Sequence, residues 1–175
     1  MKVATIMGDG IYLRPLEMSD AKIINENIYT KENTEYMLFK GEQTFEETIT
    51  FLGEVLAQYK KLFPKFLEFG IIYNRTLVGL ISLSRVKQEY KTYEIGWVID
   101  KEYSRNGITF SAAESVIDYC KRCGVKKIIA HCDIKNEASI GLILKLGMVN
   151  TNLINIRNYK DGTKSYENQY ELKLK

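Results

Sequence analysis

Two periods of apolar residues divide the chain. Phe45, Ile49, Leu52, Leu56, Tyr59 and Phe63 recur at helical spacing and predict one apolar stripe. Thr44-Phe-Glu-Glu47 ahead of them has the spacing of a capping box, and Pro64 stops the pattern. After Pro64 the runs become β-rich. Phe66–Tyr73 and Leu77–Ser84 flank Asn74-Arg75-Thr76, which reads as a hairpin turn, and Tyr93–Ile99 is a third strand after a polar turn near residues 87–92. A helix from about Gly107 to Cys123 closes at Gly124, and Val125–Cys132 is again strand-like. Asn136–Leu146 is a short helix closed by Gly147. Asn152–Tyr159, the Asp161-Gly162 turn and Tyr166–Leu174 make a final hairpin. Before the long helix, residues 10–16 read as a strand ended by Arg14-Pro15, and Ser19 or Asp20 caps a helix to about Asn27. Residues 28–43 show no clear period.

The order is β-α-α-β-β-β-α-β-α-β-β. The strand–helix–strand unit around 93–132 calls for a right-handed crossover and a parallel pair, while the hairpins supply antiparallel ones. The predicted fold is α/β (α+β): a mixed, mostly antiparallel central sheet of about seven strands, flanked by about four helices. No repeat or low-complexity linker interrupts it, so residues 1–175 are read as a single domain.

Composition narrows the classes. The chain is 45% hydrophobic and 27% charged, and no run approaches the roughly 18 apolar residues of a membrane span. The N-terminus lacks a sustained apolar segment of the secretory kind, so the expectation is a cytoplasmic protein with no membrane partner. A net charge of +3 without a long basic run argues against nucleic acid and merely suits an anionic ligand. Three cysteines do not make a disulfide framework. Cys120-Lys-Arg-Cys123 with His131 and Cys132 imitates a zinc set. A strand of about 3.3 Å per residue separates Cys123 from Cys132, whereas zinc holds its ligands within about 2.3 Å. No metal is expected, and the thiols are read as core packing.

The candidate chemistry starts at the strand Glu94-Ile95-Gly96-Trp97-Val98-Ile99. A short loop with a cation and a glycine follows, Ser104-Arg105-Asn106-Gly107-Ile108-Thr109, and then a helix. The first turn of a helix leaves N–H groups unpaired and is partially positive, and a glycine lets an anion approach the backbone. The arrangement predicts a phosphorylated ligand at about residues 104–109.

Together with its element order, the chain resembles the GNAT N-acetyltransferase superfamily, and within it the ribosomal-protein-serine/alanine N-acetyltransferase branch. The likeness rests on Ile11-Tyr-Leu-Arg-Pro-Leu-Glu-Met-Ser-Asp20-Ala21, on Glu94-Ile-Gly-Trp97 with Tyr103-Ser-Arg-Asn-Gly107-Ile108, and on Asn136-Glu-Ala-Ser139 with Lys145-Leu-Gly147-Met148. It implies acetyl-CoA as co-substrate, its pyrophosphate on the amides of Arg105 to Thr109, its pantetheine along Trp97, Val98 and Ile99, Asn136 bonding the pantetheine, and Ser139 near the thioester sulfur. The loop departs from the family pattern. Gly107 fits the first glycine, but Ser104 stands where the family has Gln or Arg, and Thr109 at the second small position; Arg105 is a compensating cation.

The reaction so implied is acetyl transfer to a primary amine, either a protein or peptide N-terminus or a small molecule, by direct attack in a ternary complex. Glu94 is the candidate base through a water, the N–H near Val98 the donor to the thioester carbonyl, and Ser139 a helper of the departing thiolate. A tyrosine acid is expected but cannot be chosen among twelve. His131 reads as a strand residue without a partner. The acceptor falls to residues 28–43, the loop at 85–92 and the last hairpin, with Glu32, Glu35, Glu42 and Glu46 as acidic candidates. Edge strands of that hairpin leave a homodimer open. The competing reading is a non-catalytic acyl-CoA-binding or regulatory module on the same fold.

Overall fold

The computed structural model describes residues 4–37, 43–159 and 162–175. Eight strands form one sheet in the order β1-β2-β3-β4-β5-β6-β8-β7. These are β1 (Ile6–Met7), β2 (Tyr12–Pro15), β3 (Phe66–Tyr73), β4 (Thr76–Arg85), β5 (Thr92–Ile99), β6 (Lys127–Asp133), β7 (Val149–Asn158) and β8 (Lys164–Lys173). The helices are α1 (Ala21–Ile23, continuing as a π-turn over Ile24–Ile28), α2 (Phe45–Tyr59), α3 (Ile108–Arg122) and α4 (Glu137–Lys145). Among the described residues the strand beyond the expected seven is the two-residue β1, too short to carry a period.

Every pairing is antiparallel except β5 with β6, the pair that the crossover through α3 requires. The β3–β4 turn places Asn74 and Arg75 at φ of 47° and 66°, the left-handed pair that matches hairpin twist. One face of the sheet buries Phe69, Ile71, Ile81, Leu83 and Ile95 with Ala112, Val116 and Cys120 of α3. The other buries Ile72, Leu80 and Val98 with Ile24 and Ile28 of the α1 segment and Leu52 and Val55 of α2.

Three expectations need correction. The inward face of α2 is Thr48, Leu52, Val55 and Gln58, whereas Phe45 and Phe63 are 52% and 74% exposed. The helix stops at Tyr59 because the side-chain oxygen of buried Gln58 accepts the Lys65 N–H (2.9 Å) and turns the chain before Pro64. Cys123 is exposed rather than packed; Cys120 and Cys132 are buried, and burial pushes both thiols up to about 12. The last hairpin is longer than its pattern, because β7 carries an irregularity between Asn150 and Ile154, with Asn152 at φ 60°, that breaks the alternation. Glu42, and Asp161 of the predicted turn, lie outside the described residues.

Candidate active site

The site begins where the sheet opens. β5 and β6 pair only at Thr92–Lys127, Tyr93–Ile128 and Glu94–Ile129, although β5 runs on to Ile99 along β4 and β6 to Asp133 along β8. Beyond Glu94 the two parallel strands part. At the two ends of the β4–β5 ladder, the Val86 N–H donates to Thr92 O and the Asp100 N–H to Val78 O. Antiparallel alternation between them turns the main-chain groups of Gly96 and Val98 toward β4 and those of Trp97 and Ile99 toward the gap. The amide facing the opening nearest Val98 is therefore that of Trp97 or Ile99, not Val98 itself.

A cleft of about 1320 Å³ follows this gap. Of the twelve candidates, Glu94, Trp97, Val98, Ile99, Ser104, Arg105, Gly107, Ile108, Thr109, Asn136 and Ser139 line it. Asn106 does not; it is exposed at the loop tip. A smaller hollow of about 410 Å³, between α3 and the C-terminal residues, holds none of the twelve.

The loop at one end is built locally. Asp100 accepts the Glu102 N–H (3.1 Å) and starts a single helical turn over Lys101–Tyr103, which the Ser104 hydroxyl closes by donating to Lys101 O (2.7 Å). Arg105 and Gly107 then take φ of 63° and 76°, and α3 starts at Ile108 with no side-chain cap. Its first N–H groups have no partner within the helix. Lys145, with its ammonium 4.1 Å from the Phe110 ring centroid, adds a second cation to Arg105 on the cleft wall.

α4 supplies the opposite wall. The Asn136 side-chain oxygen caps it by accepting the Ser139 N–H (3.1 Å), so its amide nitrogen keeps its donors. The indole N–H of Trp97 donates to Ser139 Oγ at 3.4 Å, which leaves the hydroxyl proton free to donate elsewhere.

On the α1–α2 face of the sheet, His131 does have partners. Its Nδ1 lies 2.8 Å from Glu94 Oε1 and its Nε2 3.2 Å from Gln169 Oε1. The Glu94 hydrogen bond raises the His131 pKa above its ordinary value, against partial burial, which lowers it. Tyr29 and Tyr36 are the tyrosines on the cleft wall. Of the acidic candidates in the variable segment, Glu32 is paired with Lys101 and Glu46 lies in the first turn of α2.

Residues 11–149 match the acetyltransferase (GNAT) domain family. The chain belongs to the GNAT acetyltransferase family. This GNAT acetyltransferase is 28% identical over 167 residues to an uncharacterized N-acetyltransferase, YoaA of Bacillus subtilis, across 94% of this chain and 93% of that one. The acetyltransferase of the GNAT family from Bacillus anthracis superposes with a TM-score of 0.80 at 25% identity, over 97% and 98% of the two chains. RimL, a ribosomal L7/L12 alpha-N-protein acetyltransferase solved with coenzyme A, superposes at 0.84 over 98% of both chains; at 15% identity that likeness shows the fold.

Two features of the GNAT site escaped the sequence reading. The Glu94–His131–Gln169 chain joins three strands, and only register brings them together. Glu68, on the cleft floor, sits between Leu67 and Phe69 in the middle of β3. Its signal was available: a charged residue inside an apolar run on a strand flanked on both sides.

Proposed function

We propose that the cleft binds acetyl-CoA and transfers its acetyl group to a primary amine, a protein or peptide N-terminus or a small molecule, by direct attack in a ternary complex. The observation that carries this reading is the unpaired edge of β5 at Trp97 and Ile99, running toward the uncapped start of α3. A pantetheine arm has amide donors and acceptors to pair with such an edge. A pyrophosphate suits the N–H groups of Arg105 to Thr109, with Arg105 and Lys145 as counter-charges. The Asn136 amide nitrogen donates to the arm beside α4, its side-chain oxygen being taken by the Ser139 N–H.

The neutral amine attacks the thioester carbonyl, a C–N bond forms and the C–S bond breaks. One nitrogen proton leaves the ammonium before attack, and the second ends on the coenzyme A sulfur. Glu94, oriented by its hydrogen bond to His131, takes the first through water. The Ser139 hydroxyl, fixed by Trp97, faces the departing thiolate. Tyr29 and Tyr36 are the candidates for its acid. Apolar side chains exposed on the edge strand β7, Leu153, Ile154 and Ile156, support a homodimer.

The test is free-thiol release from acetyl-CoA against a panel of amines. Intersecting initial-velocity lines support the ternary complex, and parallel lines overturn it. Glu94→Gln is expected to lower kcat by about 10²–10⁴-fold with little change in coenzyme affinity. Saturable coenzyme A binding with no amine acetylated would favour the regulatory module instead.

A further inference from the structure

Glu68 has no role in the reaction just described. It is partly buried, on the interior strand β3, and lines the same cleft as Glu94. Among the described residues no hydrogen bond or ion pair engages its carboxyl; Tyr59 donates to its main-chain oxygen (2.5 Å), not to its side chain. Of the other acids on the cleft, Glu94 is held by His131, Asp133 by Ser165 and the Lys135 N–H, and Glu137 is exposed in the first turn of α4.

Its position in the sheet gives the carboxyl a direction. Glu68 stands opposite Ser82, and Ser82 opposite Gly96. That row crosses β3, β4 and β5, a lateral distance of about 9.6 Å, and ends beside the open edge at Trp97. A hydroxymethyl and a hydrogen are the only side chains between. A Cβ on Gly96 would stand 3.0 Å from Ser82 Oγ, so glycine keeps this row low. The row forms a trough leading from the acid to the β5 edge along which the pantetheine arm is proposed to lie. Tyr29, Phe51 and Leu80 wall its Glu68 end.

We propose that Glu68 is the acceptor-binding residue, receiving the ammonium of a primary amine whose adjoining group is apolar or aromatic, and aiming its nitrogen along the Ser82–Gly96 trough. This inference rests on the acetyl-transfer reading and names the substrate class of that site. Among the described residues, the groups around Glu68 offer it no competing cation. They are the hydroxyls of Tyr29, Tyr59 and Ser82, and the Arg14–Asp20 bridge on the neighbouring strand and turn, which is closed on itself (2.7 Å). Burial alone raises the Glu68 carboxyl to about 8, so at pH 7 it is mostly protonated until a cation arrives. Binding an ammonium must then expel that proton.

Calorimetry on the full chain saturated with coenzyme A tests this with benzylammonium and, as a neutral analogue, aniline. Wild type is expected to bind benzylammonium at least about tenfold tighter, with release approaching one proton per ligand at pH 7 in buffers of different ionisation enthalpy. Glu68→Gln is expected to lose both the preference and the proton release while keeping its aniline and coenzyme A affinities within about twofold. Glu68→Asp should retain part of the preference. Unchanged preference or proton release in Glu68→Gln overturns the proposal, as does a wild type that does not distinguish the two ligands. Failure of wild type to bind coenzyme A overturns the acetyl-transfer reading instead, so the two failures are distinct.

Discussion

His131 and Glu68 load the same cleft with opposite chemistry yet bend the pH dependence of stability in the same direction. The folded pKa of His131 lies above its ordinary 6.5, chiefly through the Glu94 hydrogen bond. Its contribution is therefore fully present below about 6.5 and is lost as pH rises through the folded value. Glu68 is protonated in the fold and ionised in the unfolded chain between its ordinary 4.5 and about 8, so stability falls with pH there too. Urea midpoints between pH 6 and 9 are expected to decline in wild type, with a shallower decline in His131→Gln and in Glu68→Gln. A flat wild-type profile would contradict both assignments. The Glu68 effect is marked in the sequence by a charge inside an apolar run, whereas that of His131 is not legible there. His131 looked partnerless because Glu94 and Gln169 lie 37 and 38 positions away, and the strand register alone brings them together.

At the scale of elements, local chemistry announced most of the fold. The Asn74-Arg75 turn, the Thr44–Glu47 capping box and the glycines at 124 and 147 end or start elements by backbone rules that act within a few residues. The expected stripe of α2 meets the core through Leu52, Ile49 and Tyr59, but the buried face turns toward Thr48, Val55 and Gln58 and leaves Phe45 and Phe63 exposed, because helical spacing fixes a stripe only to within about one residue position. Glycine shows the same division between local and tertiary control. A Cβ at Gly79 of β4 would stand 2.6 Å from Val98 O, so Gly79→Ala forces β4 from β5 and is expected to cost about 1–3 kcal/mol. Gly53, inside α2, has open space where its Cβ would be, and Gly53→Ala is expected to stabilise by up to about 1 kcal/mol. Chemical denaturation reads both signs; a neutral Gly79→Ala would contradict the close approach of the two strands.

Across the whole molecule, and among the described residues, the three-residue β5–β6 ladder is the only strand pairing that joins the β1–β5 part of the sheet to the β6–β8 part, with the Lys126 N–H to Lys91 O bond beside it and the Glu94–His131 bond at its end. The strand–helix–strand unit foretold a parallel pair, but not that it would stop at Glu94, since no local pattern in either strand marks the parting. The consequence concerns the timing of opening motions. A sheet joined so briefly is expected to exchange its amide hydrogens as two blocks of different protection, with the Trp97 and Ile99 amides among the fast ones. A ligand lying in the gap would act as a missing strand, slow those two amides and merge the blocks into one cooperative unit. Hydrogen–deuterium exchange with and without coenzyme A reads this directly, and an unchanged pattern on saturation would mean that the ligand lies elsewhere. The same gap that opens the cleft would then make the bound coenzyme a part of the sheet's cohesion.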